Sequence, residues 1–231
     1  MDRAIFTSIA REPYFDLWLR YYKKFFKDIF VLRMFIDPDP CIEEAKLKHK
    51  FIEILDYKSI GMNYERESEA MSEFQNKLIK DYDCVVYAQG DEFLVANPDK
   101  YKNLGEFLDQ NKNYKYHCSG WNVCHLKEEE PPLNLSKTIL KQRKYWIYEF
   151  GYNKPAITRV PIRYHWGMHK LWDMGDGELH KYKDSDVRLV HLKQADYHIF
   201  IKRLKENNNM DWFSKRMEEK ELIPDKWKET F

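Results

Sequence analysis

The densest set of side chains able to do chemistry is Gln89-Gly90-Asp91-Glu92, directly after the apolar run Cys84-Val85-Val86-Tyr87-Ala88. A run of that length suits a strand buried on both faces of a parallel sheet. Open α/β sheets bind ligands just beyond the carboxyl ends of their strands. Two adjacent carboxylates at that address are placed to hold a hard divalent cation, which takes oxygen ligands and substrate phosphates. Gly90 lets the backbone turn sharply or come close to a ligand. A solvated acidic turn would have the same composition, so the rest of the chain has to decide between them.

The histidines come next. His191 ends a second apolar run, Val187-Arg188-Leu189-Val190-His191-Leu192, and so shares the topological address of Asp91. His165 and His169 are four apart, but Trp166 stands where a zinc protease would carry the glutamate of H-E-x-x-H, and Gly167 favours a loop over a helix. His117-Cys118 and Cys124-His125 together hold two thiols and two imidazoles, enough for a tetrahedral zinc. Adjacent residues of a strand point to opposite faces, which argues against that pairing. Ordinary hydrogen-bonding roles are the competing expectation for each histidine. Lys154, with Arg143 and Lys144 upstream, is by default a solvated cation. As a group the three would be able to neutralise a leaving diphosphate.

These side chains need a scaffold, and its periodicity is legible. Residues 4–9 read as a first strand, Pro13 suits a first helical turn, and Trp18, Tyr22, Phe25 or Phe26, and Ile29 recur at helical spacing. Residues 30–36 form a second apolar strand that ends in Asp37-Pro38-Asp39-Pro40. Strand, helix, strand is a βαβ unit, with both strands parallel in one sheet. Residues 51–57 are a third strand and 65–80 a helix that feeds the 84–88 strand. Further along, the pattern predicts a short helix over 101–108 and strands over 114–118, 156–160 and 187–192. Two closing helices follow, one with Ala195, Ile199, Phe200 and Leu204, the other with Trp212, Phe213 and Met217.

The 231 residues suit one α/β domain, with 43% hydrophobic residues to form a core and aromatics at 16%. The expected fold class is a single domain with a mostly parallel, Rossmann-like sheet flanked by helices. Its nucleotide-binding half spans about 1–98, its acceptor half about 99–205, and the C-terminal helices about 193–231. Against 39 basic side chains stand 38 acidic ones, for a net charge of +1, which gives no basis for a nucleic-acid partner. No apolar run approaches the ~18 residues of a membrane span, and no charged-then-apolar leader opens the chain. The expected location is the cytoplasm.

The segment Gln89-Gly90-Asp91-Glu92-Phe93-Leu94-Val95 resembles the D-x-D-E-F segment of family 2-like glycosyltransferases with the GT-A fold, and Gln89 stands where that family usually has its first aspartate. Residues 13–26, PYFDLWLRYYKKFF, are similar to the family's E-W-L-x-Y-H opening. Leu189-Val190-His191-Leu192-Lys193 resembles the strand that carries its late histidine. The resemblance implies a nucleotide-diphosphate sugar as donor, a carbohydrate or other hydroxyl acceptor, and Mn²⁺ or Mg²⁺ as cofactor. It places Asp91 and His191 on the metal, a donor pair that suits Mn²⁺ when phosphate oxygens complete the shell. It places Thr7, Ala10 and Arg11 along the base, Asp37 on the uridine or ribose, and Gln89 and Gly90 beside the nucleotide. Ser119, Gly120 and Asn122 fall in the acceptor half, and Gly167 and His169 toward sugar or acceptor. An inverting reaction needs a group to take the acceptor proton, and Glu92, His169 and Asp173 are all candidates. Two other readings stay open. A nucleotidyltransferase would use the same sheet, although residues 7–15 lack its glycine-rich loop. A non-catalytic sugar- or nucleotide-binding module is the other, kept alive by Gln89.

Overall fold

The computed structural model describes residues 2–34, 38–54, 64–174, 181–207 and 219–231. Its first half follows the expected alternation. Strand β1 (Arg3–Ile9) leads into helix α1 (Phe15–Tyr22), then β2 (Asp28–Arg33), α2 (Pro40–Lys46), β3 (Ile52–Ile54), α3 (Tyr64–Leu78) and β4 (Cys84–Tyr87). The order β3-β2-β1-β4 is parallel throughout. The period-2 alternation of each strand feeds two cores. Ile5, Ile9, Val86 and Ala88 pack with Phe15, Trp18 and Leu19 of α1. Phe6, Leu32, Val85 and Tyr87 pack on the other face with Met71 and Phe74 of α3.

The second half departs from a mostly parallel sheet. After β5 (Glu92–Ala96) and α4 (Leu104–Gln110) come β6 (Lys115–Cys124), β7 (Tyr145–Tyr148), β8 (Lys154–Thr158), β9 (Val187–His191), α5 (Tyr197–Asn207), β10 (Glu221–Leu222) and α6 (Asp225–Lys228). The pairs β4–β8, β6–β8, β6–β7, β5–β9 and β7–β10 are antiparallel, and only β6–β9 is parallel here. The architecture is therefore α/β with a mixed sheet flanked by helices. Strand β6 joins its two parts: residues 115–118 pair with β8, and 119–124 with β7 and β9.

The departures have local causes. Residues 93–96 were not expected as a separate strand. A tight turn, closed by Glu92 N–H to the Gln89 carbonyl at 2.9 Å, sends β5 away from β4 to pair with β9. Strand β8 begins two residues before the sequence predicts, because Pro155 is tolerated at a register irregularity opposite Tyr116 and Cys118. The expected helix carrying Trp212, Phe213 and Met217 lies outside the described residues, as does Asp37. No helix among the described residues is long and apolar enough to cross a membrane.

Candidate functional site

The register of β5 against β9 builds the site. Glu92 pairs directly with His191, and Leu192 N–H donates to the Asp91 carbonyl at 2.9 Å, which holds the turn against the end of β9. Asp91 Oδ2 then stands 3.4 Å from His191 Nε2, with both side chains nearly buried. The other ring nitrogen, Nδ1, is 2.8 Å from Asn122 Oδ1, which faces it across β6–β9. A carbonyl oxygen accepts, so Nδ1 donates to Asn122 and Nε2 is the ring nitrogen that faces the carboxylate. A ligating histidine typically has its other nitrogen held by just such a second partner.

Tyr152 forms one wall of this pair. It ends a single 3₁₀ turn (Phe150–Tyr152) and lies 4.6 Å, centroid to centroid, from His191 and 5.3 Å from His169. Burial, then the negative charges of Asp91 and Glu92, push its phenol up to about 12. Gly120 makes room for it: a Cβ there would stand 2.5 Å from the Tyr152 Cβ and 2.6 Å from its carbonyl carbon. Nothing in the sequence pattern marks Tyr152. The nearest signal is Gly120, a glycine inside a strand, which often means close approach of another backbone.

His169 closes the group from a turn rather than a helix. Gly167 adopts φ +75°, a conformation that suits glycine, within the 3₁₀ turn Trp166–Met168. A ring N–H of His169 donates to the Tyr152 carbonyl, and Nδ1 is buried without a hydrogen-bond partner. Burial, followed by the charges of Lys154, His191 and Lys193, holds its pKa well below the usual histidine value. His169 is therefore neutral near pH 7, with a lone pair to offer.

Glu92 and Lys154 are given to each other rather than to a ligand. Lys154 Nζ lies 2.6 and 2.7 Å from the two Glu92 oxygens, and neither side chain is exposed at all. Glu92 Oε2 also accepts from Gln89 N–H at 2.8 Å. Glu92 is thus withdrawn from proton transfer and Lys154 from a diphosphate clamp, because neither charge reaches solvent. Arg143 is equally buried and donates to the Ala195, Pro131 and Gln142 carbonyls, while Lys144 pairs with Glu129 at the surface. Asp173 sits two-thirds exposed on Lys115 at the start of β6, and that cation lowers its pKa. The structure does not bring it to Asp91.

The residues expected along a nucleoside base lie in β1 and in the loop after it. Thr7 is wholly buried in β1, so it offers no surface to a base, and Ala10 packs against the α3-side core. Arg11 is exposed and takes a left-handed backbone, φ 52°. Its N–H donates to Asp39 Oδ2 at 2.7 Å, while Asp39 Oδ1 caps α2 through Cys41 and Ile42. Asp39, fully buried, therefore ties the loop after β1 to the loop after β2, a role the sequence reading did not assign. Gly90 packs under the same loop, since a Cβ there would meet Ile9 and Glu12 at 2.6 Å. Glu67 of α3, also unassigned from sequence, faces Ser8, and burial pushes its carboxyl up.

The histidines of the two cysteine–histidine pairs have other partners. Both nitrogens of His125 are taken by backbone, the Glu130 carbonyl and the Tyr197 N–H, and His117 stacks on Tyr182. Cys118 and Cys124 are buried free thiols. Among the described residues no group of three or more acidic, histidine or cysteine side chains converges on one point, and Asp91 and His191 meet as a pair. Two concavities of about 700 and 570 Å³ lie away from these residues, one beside Arg3 and Gly105, the other beside Pro131 and Arg143. No family model matches the chain, and no curated protein is similar to it.

Proposed function

We propose that the chain is a metal-dependent glycosyltransferase of the GT-A type, moving a sugar from a nucleotide-diphosphate sugar to a hydroxyl of a glycan or similar acceptor. One observation carries the reading: Asp91 and His191 face each other at 3.4 Å from the ends of two strand segments, with Nδ1 of the histidine pinned on Asn122. One carboxylate and one imidazole suit Mn²⁺ better than Mg²⁺, which favours all-oxygen shells. When bound, the ion would neutralise the diphosphate as it leaves.

The chain's own residues supply the remainder. The parallel β3-β2-β1-β4 block opens its carboxyl ends toward the Asp91 turn, where α/β sheets hold nucleotides. Gln89 follows β4 there, half-buried, with an amide able to donate to or accept from a ribose hydroxyl. Tyr152 packs its ring on His191, 4.6 Å between centroids. Of the three proton acceptors considered, His169 takes the role here, because its Nδ1 is unpartnered and its ring sits against Tyr152 beside the metal pair. Incubation with nucleotide sugars radiolabelled in the sugar, with Mn²⁺, tests the proposal. Transfer, or slow hydrolysis without acceptor, is expected. Tight nucleotide-sugar binding with no turnover under any acceptor would leave a binding module instead.

A further inference from the structure

The site sits at a fork. Strand β4 stays with β8, whereas β5 turns away to β9, and the 89–91 turn spans the gap. The Glu92–Lys154 pair crosses that fork, because Glu92 opens β5 and Lys154 opens β8. Its geometry is bidentate, at 2.6 and 2.7 Å, and Lys154 Nζ also lies 4.9 Å over the Tyr87 ring at the end of β4. Glu92 in turn fixes the turn from both ends, accepting from Gln89 N–H and donating its own N–H to the Gln89 carbonyl. Asp91, the next residue along, has its position set by this arrangement.

Stability alone does not explain such a pair. Taking two charges out of water is expensive, and apolar side chains of similar volume usually stabilise as well or better. What apolar packing does not supply is a directional, two-point fix on a turn that must present a carboxylate to a histidine on another strand. We propose that Glu92 and Lys154 are positioning residues, whose buried ion pair holds Asp91 at the distance from His191 that lets the two share a divalent cation. This rests on the metal-dependent reading above.

The test compares nucleotide affinity with Mn²⁺ and with EDTA, using UDP, GDP, CDP and ADP as probes, in the wild type and in a double variant, Glu92→Gln with Lys154→Met. The amide keeps the bond from Gln89 N–H, and the thioether fills the lysine's volume. The double variant is expected to fold and to bind nucleotide in EDTA as the wild type does. The gain that Mn²⁺ brings should fall by about tenfold or more, the range seen when groups supporting a metal ligand are lost. A folded double variant that keeps the full Mn²⁺ gain would overturn the proposal. If the double variant does not fold, Glu92→Asp keeps the charge and shortens its reach by one methylene. It should lose part of the same gain, and an unchanged gain there is equally contrary. A wild type with no Mn²⁺ gain for any probe would instead sink the metal reading itself, and the positioning role with it.

Discussion

At the scale of single residues, the contact between Asp91 and His191 follows from where each stands in the sequence. Asp91 and His191 each follow an apolar run, and the ends of buried strands are where α/β folds keep their polar groups. Their supporting cast was not legible, because its partnerships cross long stretches of sequence: Glu92 with Lys154, His191 with Asn122, Arg11 with Asp39. A buried lysine reads like any surface lysine until its partner is known. His169 gives a direct prediction. Its folded pKa lies below that of the unfolded chain, near 6.5. The unfolded state therefore binds the extra proton first on acidification. The neutral ring's contribution is fully present above about pH 6.5 and is lost as pH falls toward the folded pKa, at no more than about 1.4 kcal/mol per pH unit. Urea unfolding between about pH 7 and 5 should show a shallower loss in His169→Asn than in the wild type. Parallel curves would mean that His169 does not titrate as its surroundings imply.

At the scale of elements, the strands with clean alternation were found and the turns that aim them were not. The β4–β5 turn hides in a run that reads as one strand with an acidic tail, since Gly90 and the Glu92–Gln89 bond only become a reversal once β9 is there to pair with β5. One helix cap and one glycine make this testable. Asp39→Ala removes both the α2 cap and the bond to Arg11 N–H. The cost should be about 1–2 kcal/mol, and the loop after β1 should exchange its amide hydrogens faster than before. Protection that stays unchanged would separate the two loops. Gly120→Ala drives a methyl into the backbone of Tyr152, which cannot swing aside as a side-chain tip would. Overpacking of this kind costs about 1–3 kcal/mol. Tyr152 fluorescence or ring shifts on His191 and His169 should report the displacement, whereas a neutral substitution would mean that Tyr152 is not seated as described.

At the scale of the whole molecule, a parallel block and an antiparallel block meet where β4 pairs with β8, and the candidate metal pair lies at the turn that follows β4. The parallel block announces itself in continuous apolar runs. The antiparallel block does so in β9 but less elsewhere, because its strands β7 and β10 are short and β8 contains a proline. Arg188 of β9 shows how that block closes: its guanidinium lies 4.2–4.6 Å from the rings of Trp121, Trp146 and Trp227, joining β6, β7 and α6. The account as a whole turns on whether Asp91 and His191 bind a divalent ion together with a nucleoside diphosphate. Thermal melting in a nucleoside diphosphate, with Mn²⁺ or with EDTA, asks this directly. Near-saturating ligand at about 100 times its dissociation constant adds about 2.7 kcal/mol, a readily measured shift. The shift should need Mn²⁺ in the wild type and vanish in Asp91→Asn and His191→Ala, both still folded; equal shifts with Mn²⁺ and with EDTA, or shifts that survive in both variants, would contradict the account.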